Sequence, residues 1–188
     1  TFRPKIAAIL NLTPDHIDRH GDFNTYRAMK ERIFENQQSG DTVILNFDDP
    51  AIRQMAERVP SQVLFFSRKK RLNQGVFVEA GLIKVDWHGT TLVICPVDKI
   101  KLRGGHNVEN ALAASAAAFL AGVDAQTIAL ILENFSGVEH RIEPVTAVNS
   151  VMYYNDSKAT NPESAVKALE AFPGNIILLA GGRDKNTD

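Results

Sequence analysis

Short apolar runs alternate with amphipathic stretches along the first third of the chain. "KIAAILN" (5–11) is almost continuously apolar, the pattern of a strand buried on both faces. A polar stretch follows and ends at Asp22, a good N-cap. Behind it Tyr26, Met29, Ile33 and Phe34 recur at helical spacing, and Gly40 supplies a stop. "TVILNF" (42–47) is a second buried strand. "DDPAIRQMAERV" then predicts a helix with Asp49 as cap and Pro50 at its first position. "QVLFFS" (62–67) is a third strand. Strand, helix, strand, helix, strand is the order of a parallel sheet flanked by helices.

The texture then changes. "VFVEAG", "LIKVDW" and "TLVICPV", between Gly75 and Leu102, are short strands joined by glycine turns, consistent with an antiparallel hairpin set. "HNVENALAASAAAFLAG" (106–122) is a helix whose alanines permit close packing. "DAQTIALILENF" (124–135) is another, capped by Asp124. "GVEHRIEPV" leads into a strand, "SVMYYN" (150–155). "NPESAVKALEAF" (161–172) is a helix, and "NIILLAGG" (175–182) a strand running into a glycine turn. This last unit reads as a βαβ repeat of its own, which places a domain boundary near Arg141–Pro144. The expected fold is α/β: a mostly parallel sheet with a small antiparallel sheet over 1–141, then the beginning of a Rossmann-like domain over 142–188.

Composition narrows the function classes. The 188 residues are 44% hydrophobic and carry a net charge of −1, which gives no electrostatic case for nucleic acid or an anionic membrane as partner. The single cysteine, Cys95, excludes an intrachain disulfide, and a reducing setting is the default. No apolar run approaches bilayer length. Both ends read as cut: the chain starts at Thr1 and enters a strand within a few residues, and it stops just after a strand and glycine turn. A piece of a longer protein is expected.

The candidate chemistry lies where strands end. "NLTPDHIDRH" (11–20) gathers Asp15, His16, Asp18, Arg19 and His20 directly after the first strand. The carboxyl ends of parallel strands open into the ligand crevice of such folds. His16 offers a neutral imidazole to a divalent ion, with Asp15 and Asp18 as ligands or orienters. The plainer reading is a solvated loop with a helix cap and an Arg19 salt bridge. The spacing of the two histidines is no zinc signature by itself. "GGHNVEN" (104–110) joins a glycine pair to a helix start. Asn107 and Asn110, three apart, share a face; an amide both donates and accepts, which suits an adenine edge, although Asn107 as a simple cap explains it as well. "VEHRIE" (138–143) carries Arg141, suited to phosphate, with a salt bridge to Glu139 or Glu143 as the commoner alternative. "NDSKATNPE" (155–163) is a strand-end loop feeding a helix N-terminus, suited to anions and rich in charge for a linker: Asp156, Lys158 and Thr160. "AGGRDK" (180–185) repeats the arrangement and supplies Lys185. No G-x-x-x-x-G-K-[ST] and no G-x-G-x-x-G occurs, so a nucleotide enzyme of this kind would carry its phosphate loop before Thr1.

In their order, "NLTPDHIDRH", "YRAMKERIF", "GGHNVENALAA", "EHRIE", "NDSKATNPESAVKAL" and "LLAGGRDK" resemble the Mur ligases of bacterial cell-wall synthesis over essentially the whole chain. "NDSKATN" is the most discriminating piece, and it points to the branch that adds D-glutamate to UDP-N-acetylmuramoyl-L-alanine. The resemblance implies three domains, of which this chain would hold the central ATPase domain after its phosphate loop and the start of the third. It implies that ATP phosphorylates the substrate carboxylate and that the D-glutamate amine attacks the acyl phosphate. Cations are then needed around the transferring group. His16 would act at a Mg²⁺ ion and the muramoyl substrate. Lys30 would be a carbamylated lysine, an anionic metal ligand where an ammonium would repel the ion, and burial that lowers its pKa would favour the modification. Asn107 and Asn110 would contact adenine, Arg141 the γ-phosphate, Asp156 and Lys158 the nucleotide, and Thr160 and Lys185 the D-glutamate. A cytoplasmic, monomeric bacterial parent is implied. The phosphate-loop lysine, a glutamate metal ligand and an asparagine beside the loop fall outside the chain, so the 188 residues alone are expected to be inactive. Another Mur-type or folylpolyglutamate-type ligase, a metal-dependent hydrolase built on Asp15, His16, Asp18 and His20, and a non-catalytic nucleotide module are the alternatives.

Overall fold

The structure is a computed structural model, and it describes residues 2–12, 22–102 and 104–182. The chain divides into two compact units, Thr1–Ser136 and Gly137–Asp188.

The first unit is one mixed six-stranded sheet in sequence order. Strands β1 (Ile6–Ile9), β2 (Thr42–Asn46) and β3 (Gln62–Ser67) run parallel. Strand β4 (Gly75–Glu79) joins β3 in parallel through Phe66 with Val76 and Ser67 with Phe77, and then β5 (Leu82–Trp87) and β6 (Thr90–Pro96) continue antiparallel. The hairpins expected from the sequence thus extend the parallel sheet.

Helices α1 (Phe23–Glu31) and α2 (Pro50–Met55) follow β1 and β2; α3 (Gly105–Leu120) and α4 (Ala125–Asn134) follow β6. Alternation along each strand sends side chains to two separate cores. Val43 and Leu45 of β2 meet Ala7, Ile9, Phe34, Ile52 and Met55, while Ile44, Leu64 and Phe66 meet Leu112, Ala113 and Ala116 of α3 and Ile128 of α4. All five residues of β2 are buried, as a central parallel strand requires. β1 departs from expectation: as an edge strand it buries Ala7 and Ile9 but leaves Ala8 exposed. Cys95 is buried, and that burial pushes its thiol pKa up.

The predicted caps form. Asp22 accepts from the Thr25 N–H at 2.9 Å, Asp49 from Ala51 and Ile52, and Asp124 from Thr127. Those capping bonds hold the Asp22 and Asp124 carboxyls below their usual pKa. α1 ends earlier than Gly40. Ile33 and Phe34 donate to Lys30 and Glu31 in tight three-residue turns, and this drops Phe34 into the core at 3% exposure while Met29 stays half exposed. Asp41, fully buried, accepts from Arg3 at 2.7 Å and from Gln38 N at 2.8 Å, which holds its pKa down at about 2.

The second unit contains an antiparallel hairpin, β7 (Glu143–Val148) with β8 (Val151–Asn155), and helix α5 (Pro162–Glu170), capped by Asn161. β7 is a strand where the sequence showed only a lead-in. Asn149 and Ser150, both at positive φ, make its two-residue turn. The βαβ repeat does not form among the described residues: 175–182 have no strand partner, and Ile177 and Leu179 are 89% and 90% exposed. An apolar run becomes a strand only against a neighbour's backbone, and β8 is paired to β7.

Candidate functional site

At the carboxyl ends of the parallel strands, polar side chains bond to backbone across the sheet. Asn46, 4% exposed at the end of β2, donates to the Leu10 carbonyl at 2.9 Å and accepts from Asp48 N–H. Asp49 accepts from Leu12 N–H as well as capping α2. The Asp48 carboxylate takes the Ser67 hydroxyl at 2.7 Å and the N–H groups of Arg68 and Lys69 at 2.8 and 3.1 Å. A carboxylate accepting three donors pins the turn after β3. Arg68 then reaches α3, where its Nε lies 3.1 Å from Glu109.

α3 starts at this edge. Gly104, at φ 91°, takes the N-cap place, and no side chain caps it. Asn107 therefore is not the cap. It is buried, and Asn110 donates to its Oδ1 at 3.3 Å, so the two amides do share a face. Together they form a donor–acceptor pair of the kind that can read a base edge.

Lys30 sits in the last turn of α1, exposed, with its ammonium 5.1 Å from the centre of the Tyr26 ring. The burial expected to favour carbamylation is absent: α1 buries none of its own residues, and Lys30 is exposed. Among the described residues no three His, Cys, Asp or Glu side chains converge on a cation-sized space. His16 and Lys185, and with them Asp15, Asp18, Arg19 and His20, lie outside the described residues.

In the second unit, Arg141, Asp156 and Lys158 are brought to one place. Asp156 accepts from Ile142 N–H at 3.0 Å, and Lys158 N–H donates to the His140 carbonyl at 3.1 Å. These bonds tie the end of β8 to the segment before β7. His140 and Ile142 both have positive φ, 68° and 46°, a conformation that a β-branched residue adopts only when its surroundings hold it there. Glu143 is engaged by His140 N–H at 2.8 Å and by Asn155, and among the described residues Arg141 has no ion-pair partner; its side chain is exposed. Thr160 is exposed in the loop before α5, its N–H bonded to the Lys158 carbonyl.

The strand-end cluster of Asp48, Ser67, Arg68 and Glu109 was missed by sequence reasoning. The signal was present in "FDD" and "SRKKR", polar runs at the ends of parallel strands, where ligand crevices open.

The model of the Mur ligase middle domain matches residues 1–118. The chain belongs to the Mur ligase family. Two of its relatives, both named UDP-N-acetylmuramoylalanine–D-glutamate ligase, come from Pelotomaculum thermopropionicum and Acidobacterium capsulatum. They are 49% and 52% identical over 188 and 189 aligned positions, covering all of this chain. The chain spans 41% of the length of each of them. Among solved structures, MurF from Acinetobacter baumannii superposes with a TM-score of 0.73 at 22% identity, covering 90% of this chain and 37% of that one. MurF from Thermotoga maritima, solved in complex with ADP, gives 0.66 at 20%, covering 92% and 40%. At that identity these two show the Mur ligase fold, a mixed six-stranded sheet between helices.

Proposed function

We propose that the protein carrying this chain is the ATP-dependent ligase that adds D-glutamate to UDP-N-acetylmuramoyl-L-alanine through an acyl phosphate, in bacterial peptidoglycan synthesis. The observation that carries this reading is the match of the entire chain, at about half identity, to relatives named for that reaction. The first unit, Thr1–Ser136, is assigned to the central ATPase domain and the second, Gly137–Asp188, to the start of the amino-acid-binding domain; the division falls a few residues before the 141/142 boundary expected from the sequence.

Asn107 and Asn110 are assigned to the adenine edge, because a buried Asn107 amide bonded to a half-buried Asn110 is a built recognition element and not a solvated surface. Arg141 is assigned to the γ-phosphate, and Asp156 and Lys158 to the nucleotide. The bonds that Asp156 and Lys158 make to the segment around Arg141 support one shared role, and a guanidinium left without an ion-pair partner among the described residues is available to a phosphate. Thr160 and Lys185 are assigned to D-glutamate. Mg²⁺ would neutralise phosphate charge in such a reaction, with His16 and a carbamylated Lys30 as the positions that meet it. None of the described helices is long and apolar enough to cross a membrane; a cytoplasmic place is part of the proposal. The hydrolase alternative rests on residues outside the described set, and family membership favours the ligase.

The test is ligation by the full protein, supplied with ATP, UDP-N-acetylmuramoyl-L-alanine and, in separate reactions, D-glutamate, diaminopimelate or L-lysine. Product with D-glutamate alone is expected. Product with another amino acid in its place would move the assignment to a sister ligase, and hydrolysis without amide formation would refute it.

A further inference from the structure

A row of contacts runs from the sheet to the start of α3, and the reaction chemistry uses none of its members. Asp48 fixes the backbone of Arg68 through the Arg68 and Lys69 N–H groups and the Ser67 hydroxyl. The Arg68 guanidinium then lies against the first turn of α3. Its Nε meets Glu109, and a Cβ placed on Gly105 would stand 2.9 Å from its Cζ and 3.2 Å from its Nε and Nη1. Gly105 and Glu109 are four apart and so lie on one face of the helix, with the guanidinium along it. Asn107 and Asn110 lie about 150° round the helix from Gly105 and Glu109, on the far side of the same turn, so a shift of that turn carries both amides with it. Among the described residues no side chain caps α3 at Gly104, and the Arg68–Glu109 pair ties this end of the helix to the sheet.

We infer that Arg68 is a positioning residue for nucleotide-base recognition: it holds the first turn of α3 in the place where the Asn107 and Asn110 amides meet the base. This rests on the assignment of those amides to adenine. Gly105 is the complementary element, since the absence of a Cβ there leaves room for the guanidinium to lie on the helix. The pair is partly solvated, with side-chain exposures of 37% and 28%, and such pairs add little to global stability. Its consequence falls on geometry at the helix start, where a small displacement of the amides changes which base is read.

The experiment is steady-state kinetics of the full protein with ATP and, separately, GTP, whose base presents an acceptor where adenine presents a donor. Arg68→Ala is expected to raise KM for ATP about tenfold and to narrow the preference for ATP over GTP by a similar factor. Its kcat should stay within about twofold, with KM for D-glutamate and the melting temperature unchanged. Gly105→Ala should reproduce this, because the new methyl displaces the guanidinium. The double variant should be no worse than either single one, since the space is then vacant. Exchanging the charges, Arg68→Glu with Glu109→Arg, should recover part of the preference. The inference fails if the two single effects multiply in the double variant. It also fails if Arg68→Ala leaves the preference intact while Asn107→Ala abolishes it. If Asn107→Ala also leaves the preference intact, the adenine assignment itself is wrong.

Discussion

Gly75 is where the parallel and antiparallel parts of the sheet are joined, and Gly75→Ala probes that junction. Gly75 opens β4 at φ 141°, outside the regions open to residues with a Cβ. A Cβ built there overlaps the Phe65 carbonyl oxygen of β3 and stands 2.8 Å from Leu72 Cδ1. The leucine can turn away. The carbonyl moves less easily, because Phe65 is paired with Leu45 of β2. Forcing the backbone from its φ costs about 1–3 kcal/mol, and relieving the overlap a further 1–3 kcal/mol as in other overpacked cores. Parallel pairing of β3 with β4 is confined to two residue pairs, so the chain can yield there and the lower halves of both ranges apply, about 3 kcal/mol in all. The assay is urea unfolding followed by Trp87, the only tryptophan, which lies on β5 next to β4. The midpoint should fall with the slope unchanged, a loss of roughly a hundredfold in the folded-to-unfolded ratio. A loss under about 0.5 kcal/mol, within the range of an ordinary surface substitution, would refute the close approach of β4 to β3 at this point.

Leu112→Ala, which truncates a fully buried side chain of α3, should cost about 3 kcal/mol in calorimetry, whereas Leu130→Ala on the exposed side of α4 should cost little. Asp41 has its pKa depressed from 3.8 to about 2, so its stabilising contribution is complete above about pH 5 and is lost as pH falls through that window. Asp41→Asn should flatten the acid limb of a pH series of unfolding midpoints, and a parallel limb in the variant would assign it to other carboxylates. If Lys30 acts as a carbamylated anion, Lys30→Glu should retain more ligase turnover in the full protein than Lys30→Arg. The reverse order would mean that the ammonium itself is required.

Much of the fold was legible because local chemistry and burial agree. Asp22, Asp49 and Asp124 mark helix starts by what a carboxylate does for free N–H groups, and the apolar run of β2 can only be a central strand. What was not legible depends on partners distant in sequence. "NIILLA" has the composition of a strand, but pairing decides the matter, and residues 175–182 have no strand partner among the described residues. β7 was hidden because its residues are mostly exposed and carry no burial pattern. The amide pair of α3 could be found from its spacing. The Arg68 contact that braces it could not, since it joins positions 41 apart that only the sheet brings together.

The account turns on adenine meeting the two amides at the start of α3. The most direct measurement is a titration of the isotope-labelled protein with ATP, read at the side-chain amide signals of Asn107 and Asn110. Both should shift together and saturate at one concentration, and Asn107→Ala should weaken the binding. Saturable ATP binding that leaves both amide signals in place would contradict it.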